Sequence, residues 1–255
     1  MGKIKVKRKS TLIDMTAMSD VTVLLLTFFM LTSTFLQKEP TQVITPPSVS
    51  TTKVETSNVA QILVSTDPTG ENTKVYISLL GEADPDFPEA NEELGLYPGM
   101  WSTEELRKSV LTTASLRYKE LTGRDPGITK FDVDKFAKIG TFGVPMMQMH
   151  EFLNMDQTAQ DEFISNLANP QSGIPLRDIK KADGTITNEF QIWMIAIRDA
   201  GNPGLTEAMR KTGSGIAVKA DRTAQFNKVN EVLENLRTIK LNKFTVMTAL
   251  KTEND

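Results

Sequence analysis

The chain has 255 residues, a net charge of −3, no cysteine and a single histidine. That composition excludes disulfides, thiolate metal sites and any multi-histidine metal centre. The length allows one good hydrophobic core with an elaboration.

The charge is unevenly placed. Residues 1–16 hold Lys3, Lys5, Lys7, Arg8 and Lys9 against Asp14, a balance of +4, so the rest of the chain carries −7. Residues 17–36, AMSDVTVLLLTFFMLTSTFL, follow with Asp20 as their only charge. Twenty helical residues at about 1.5 Å each reach the roughly 30 Å of a hydrocarbon core, so this run predicts a transmembrane helix. A basic flank before such a helix predicts a cytoplasmic tail over 1–16 and puts everything from about residue 37 outside the inner membrane. The same flank suits anionic membrane lipids; the adjacent apolar run makes nucleic acid the poorer partner. A cleaved signal peptide is the alternative. It is opposed by the length of the run, by Asp20 and by the lack of an A-x-A-like cleavage site.

Residues 37–57, rich in Thr, Ser and Pro, read as an extended periplasmic linker. Within it, 43–48 (Val43, Ile44, Thr45, Pro46, Pro47, Ser48) is a candidate partner-binding segment. Either it adds as an edge strand, to a second copy or to a partner, or it is free linker; the residues alone leave both open.

From residue 58 to 255 the patterning predicts a small α+β two-layer sandwich, with a mainly helical stretch over about 82–186. AQILVS (60–65) and KVYISLL (74–80) flank a turn containing Asp67-Pro68 and Gly70, a hairpin. Acidic residues Asp84, Asp86, Glu89, Glu92 and Glu93 lie in a loop over 81–100, and their spacing matches no calcium loop. Ser102 and Glu105 form a capping-box pattern that opens a helix to Leu121, stopped by Gly123. Shorter amphipathic helices are expected over 132–139 and 156–167, with MMQMH (146–150) between them as core or loop filler rather than a metal site. In 187–200, Phe190, Trp193, Met194 and Ile197 follow i, i+3, i+4, i+7, predicting a helix whose stripe is core rather than a binding platform. Last come a strand over 215–219, a helix over 223–239 and a strand over 243–250. Short loops between them imply parallel neighbouring strands. Asp221 is expected to end the first of these strands and cap the helix.

At about 100° per residue, Thr27 lies roughly 20° from Asp20 around a helix, and Thr16 and Thr34 roughly 40°. One stripe therefore runs Thr16, Asp20, Thr27, Thr34. A carboxylate flanked by hydroxyls stays hydrogen-bonded whether protonated or not, which suits a proton relay. One charge falling through 100 mV releases about 2.3 kcal/mol, a usable driving force. A lone helix cannot conduct, so a second membrane protein must wrap the stripe. The competing account is structural: the hydroxyls bond backbone carbonyls, and Asp20 snorkels to the cytoplasmic head groups. Spacing alone does not choose between them.

IDMTAMSDVTVLLLTFFMLTSTF (13–35) resembles the N-terminal signature of the ExbD/TolR family of biopolymer-transport proteins, with Asp20 on the family's membrane aspartate. Ala17 stands where proline is usual, and Ser19 where an apolar residue is usual. GIAVKADRTAQFNKVNEVLENLRTIKLNKFTVMTALK (215–251) resembles the family's closing strand, turn, helix and strand. The Trp193 helix with Arg198 and Asn202-Pro203-Gly204-Leu205 is similar to Bacteroidota members, and 82–186 has no counterpart in compact members, so the resemblance makes it a mainly helical insertion. The resemblance covers roughly 10–80 and 187–252. It implies a single-pass inner-membrane subunit whose helix, paired with a second ExbD-like helix in a homo- or heterodimer, sits within a pentamer of ExbB-like subunits. It further implies proton flow through Asp20, with work passed to a TonB-like protein for transport across the outer membrane. A TolR-like role in envelope maintenance and a passive anchored adaptor are the alternatives. No nucleophile–histidine–acid set, phosphate loop or metal-ligand set points to an enzyme, and no cofactor is expected.

Overall fold

The structure, a computed structural model, describes residues 15–32, 43–48, 58–81, 102–181, 184–200, 205–206, 209, 215–247 and 249–250. The expected cytoplasmic tail up to residue 14, the expected acidic loop from 82, Thr34 and Asn202-Pro203-Gly204 lie outside the described residues. The chain divides into two compact units, 1–38 and 39–255. In the first, the Leu- and Phe-rich run forms helix α1 (Met15–Thr32).

Among the described residues the second unit is built on a mixed five-stranded sheet, in spatial order β4 (Thr141–Phe142), β3 (Thr73–Leu80), β2 (Val59–Thr66), β7 (Ile216–Ala220) and β8 (Thr245–Met247). Its centre is the expected hairpin, β2 (Val59–Thr66) antiparallel to β3 (Thr73–Leu80). Asp67 closes the turn: its Oδ1 accepts from the Glu71 N–H at 3.0 Å, and its Oδ2 from Asn72 Nδ2 at 2.8 Å. β7 (Ile216–Ala220) lies parallel to β2, and β8 (Thr245–Met247) parallel to β7. That is the strand–helix–strand arrangement read from residues 215–250, with α7 (Phe226–Thr238) as its helix.

In the terminal run, β8 lies beside β7 and β9 (Ala249–Leu250) pairs in parallel with β1 (Pro47–Ser48). One difference has a local cause. Helix α7 starts at Phe226, three residues later than expected. Asp221 Oδ1 accepts from the Thr223 N–H (3.1 Å) and Oγ1 (2.9 Å), and the Ala224 N–H bonds Asp221 O, so a turn occupies the place of the first helical turn.

The insertion is mainly helical among its described residues, and it belongs to the core. Its helices are α2 (Thr103–Thr122), α3 (Lys130–Phe136), α4 (Met149–Asn154) and α5 (Gln157–Ser165), with a two-stranded β5 (Ile179–Lys180) and β6 (Ile186–Thr187) ribbon at its end. Helix α2 starts as expected, Ser102 Oγ accepting from the Glu105 N–H at 3.2 Å, and ends at Gly123, whose φ of 70° is a left-handed C-cap. The insertion also supplies the edge strand β4 (Thr141–Phe142), where Phe142 pairs with Ile77.

Helix α6 (Glu189–Asp199) covers that face of the sheet. Trp193 is fully buried, 4.7 Å from the Phe142 ring and 6.0 Å from Phe136 in a near-parallel stack. The opposite face is closed by the insertion: Tyr76 Oη donates to Ile164 O at 2.9 Å and lies 2.7 Å from Ser172 Oγ. A Cβ at Gly143 would stand 2.3 Å from the Tyr76 ring, so only glycine permits that approach. Residues of both parities in β2 and β3 are consequently buried (Ile62, Leu63, Val64; Tyr76, Ile77), and the sandwich gains a third layer over the expected two.

Candidate functional site

Helix α1 carries the chemistry-bearing residue. Asp20 is exposed on it, among apolar side chains from Met18 to Leu31 that are exposed all around the helix. Of the predicted hydroxyl stripe, Thr27 is in place, and its Oγ1 donates to the Leu24 carbonyl at 3.0 Å; Thr22 does the same to Met18 O at 2.8 Å. In this state the hydroxyls satisfy backbone carbonyls, and Thr27 keeps lone pairs available to accept. Thr16 lies in the first turn, its side chain outside the described residues, as is all of Thr34. Among the described residues no helix is long and apolar enough to cross a membrane. The apolar run read as 17–36 passes beyond the described end of α1 at Thr32.

The second predicted site, 43–48, lies against its own domain. Val43 is 9% exposed and joins the main core, whereas Ile44 is 70% exposed. Alternation of buried and exposed side chains is the period of a strand lying on a surface. The Arg222 N–H donates to Ile44 O at 2.7 Å, Pro46 is half-buried, and Pro47 enters the parallel β1–β9 pair. The segment thus adopts the extended form that strand addition requires, and the strand it joins belongs to the same chain.

Three buried charges escaped the sequence reading. Arg107 is 3% exposed; its Nε and Nη2 donate to Leu79 O (3.3 and 3.0 Å) and its Nη1 to Ala137 O (3.1 Å). Burial pulls its guanidinium down to about 10, partly offset by Glu104. The signal was present, for Arg107 shares the apolar face of α2 with Val110, Leu111, Ala114 and Tyr118.

Asp132 is wholly buried. Its Oδ2 accepts from the Thr129 N–H (2.8 Å) and Oγ1 (2.6 Å) and lies 2.8 Å from His150 Nδ1, while Oδ1 has no partner. Burial raises this carboxyl, but the Thr129 and His150 donors outweigh it and hold it below the usual value. Thr129 and Asp132 make a reciprocal capping box, which is why α3 begins two residues before the expected start. Glu189, 4% exposed, accepts from the Met146 N–H at 2.8 Å, and burial pushes its carboxyl up against the opposing effect of that bond and of Arg177. In the MMQMH run, Met146 and Met149 are core while Met147 is half-exposed, in keeping with the filler reading. Among the described residues no cluster of His, Asp and Glu is arranged to hold a metal ion.

An α+β unit on a mixed sheet, headed in sequence by an apolar helix with one carboxylate, is the class these observations define. Residues 6–113, less than half of the chain, match the family model described as Biopolymer transport protein ExbD/TolR. The match takes in the Asp20 signature, the 43–48 segment, the β2–β3 hairpin and the first half of α2, and it stops short of the resemblance seen at 215–251. No curated protein and no solved structure matches the chain. Members of this family are membrane-associated energy-transduction subunits that work with ExbB and TonB-like proteins.

Proposed function

We propose that this chain is a single-pass inner-membrane subunit of a motor driven by the proton-motive force, with Asp20 as its proton relay. The observation that carries the reading is one carboxylate exposed on a helix whose other large side chains are apolar on every side, within the family-matched residues. Such an all-round apolar surface suits lipid or the inside of a bundle, and a carboxylate kept there costs several kcal/mol unless it has a function.

In this reading the N-terminal tail is cytoplasmic and the sheet domain periplasmic. The helix, paired with a second ExbD-like helix, turns or rearranges inside an ExbB-like pentamer. Thr16, Thr27 and Thr34 supply a line of hydroxyls along the Asp20 face, polar stations for a proton path leading to and from the carboxyl. The domain and its 43–48 segment pass the work to a TonB-like protein, for transport across the outer membrane rather than envelope maintenance. Support for transport is the family's own description as biopolymer-transport proteins. The chain carries protons and force and is not an enzyme.

The test compares Asp20→Asn with Asp20→Glu in cells, scoring outer-membrane transport alongside co-purification of the membrane partners. Asn should assemble normally and abolish transport, while Glu retains part of it. A fully active Asn variant removes the motor and leaves a passive anchored adaptor. Intact transport with a leaky envelope would favour the envelope-maintenance role instead.

A further inference from the structure

The insertion builds a cleft that lies almost wholly outside the family-matched residues. Its volume is about 560 Å³, within the range of small-ligand and peptide sites. One side is the start of β3 (Thr73–Val75), and along it runs the loop 170–177, held by Gly173 N–H to Gly143 O (2.7 Å) and Ile174 N–H to Val75 O (2.8 Å). The 3-10 turn at Met146–Gln148, the C-terminal end of α2 and the first turns of α7 complete the walls.

The lining is chemically lopsided. Lys228 is paired with Glu231 at 2.8 Å. Lys74, Arg124 and Arg177 also face the cleft, and among the described residues none of their side chains has an ion-pair or hydrogen-bond partner. Lys74 is half-buried, and desolvation lowers its ammonium with no carboxylate beside it to restore it. Acceptors lie among these cations. Gln148 Oε1 is buried with no partner, and the carboxyl of Glu189, 96% removed from solvent, lines the same space. A buried amide oxygen left unpaired is costly, and a ligand N–H would satisfy it.

The cleft therefore asks for a ligand with several negative charges and with N–H donors between them. A simple anion satisfies the cations but leaves Gln148 Oε1 unpaired, and it fills little of the volume. An extended peptide answers both, placing side-chain carboxylates on Lys74, Arg124 and Arg177 and a backbone N–H group on Gln148 Oε1. Pro145, Pro170, Pro175 and Leu176 offer apolar contact along its length.

We propose that this cleft is a docking site for an acidic peptide segment of a partner protein, a contact supplied by the insertion and separate from the proton path. It does not depend on Asp20, so failure of the motor reading leaves it standing.

The test uses the purified full chain in detergent and a fluorescein-labelled peptide of alternating Glu and Gly, read by anisotropy. A Gln–Gly peptide of equal length and inorganic phosphate serve as controls. The acidic peptide should bind, with affinity falling steeply as salt rises, and the neutral peptide should not. Arg177→Ala and Lys74→Ala should each weaken binding about tenfold, the usual loss for one charged contact. Gln148→Leu should weaken it without changing the salt dependence. Arg177 is exposed and Lys74 half-buried, so both variants should keep the native circular dichroism. Equal binding of the neutral peptide, displacement by phosphate at the peptide's own concentration, or indifference to Arg177→Ala would each overturn the proposal.

Discussion

The backbone N–H of Arg222 donates to the carbonyl of Ile44 at 2.7 Å, joining the segment that follows the apolar helix to the turn that ends β7. This bond, the buried Val43 side chain and the β1–β9 pair are three handles by which a pull on residues 43–48 reaches the sheet. Docking should therefore be separable from folding. Val43→Asp buries a charge where a valine contributed about 1.5–3 kcal/mol, so the segment should detach while the sheet persists. Amide exchange at Arg222 should accelerate about tenfold or more while Ile62 and Leu63 stay protected. Ile44→Asp, at an exposed position, should leave the Arg222 rate unchanged. Equal rates in the native chain and Val43→Asp would show that Val43 does not hold the segment.

Glu189 makes a prediction with a definite sign. Its carboxyl sits above the ordinary value of 4.5, chiefly through burial. The folded state thus binds this proton more tightly than the unfolded state, and the penalty of ionising it grows as pH rises through the raised value. Below 4.5 both states are protonated and the penalty vanishes. Glu189→Gln keeps an oxygen to accept from the Met146 N–H and removes the charge. The variant should melt higher than the native chain at neutral pH, and the gap should close as pH falls below 4.5. A pH-independent gap would contradict this account.

Asp132 behaves oppositely. Held below its ordinary value of 3.8 by donors from Thr129 and His150, it contributes stability that is present above pH 3.8 and lost as pH falls through the folded value. Asp132→Asn should cost about 1–3 kcal/mol at neutral pH, because two Thr129 donors lose a charged acceptor. The difference from the native chain should shrink below pH 3.8. Denaturant titrations at pH 7 and pH 3 check both halves, and a deficit of equal size at the two values would refute the assignment.

Local chemistry was the most legible part of the fold. Ser102 and Gly123 framed α2, Trp193 with Phe190 and Ile197 marked the buried stripe of α6, and Asp67 with Gly70 marked the hairpin turn. These features depend on residues within a few positions of one another. What went unread was set by long-range partners. Phe142 becomes an edge strand only because Ile77 lies beside it, and Tyr76 is capped by residues nearly ninety positions away. The pairing of Ala249 and Leu250 with Pro47 and Ser48 likewise joins segments about two hundred positions apart. In the candidate site, periodicity made the helix that carries Asp20 and Thr27 legible, while the role of the two side chains is the proposal above. The cleft was not, since Lys74, Gln148 and Arg177 meet only after three separate segments have packed.

The most direct test of the central claim is proton flux through Asp20. The assembly purified with its membrane partners can be reconstituted into vesicles enclosing a pH-sensitive dye, with a membrane potential imposed. The account predicts dye acidification with the native helix and a rate reduced to that of empty vesicles with Asp20→Asn, at equal incorporation. Flux through Asp20→Asn equal to the native rate would contradict it.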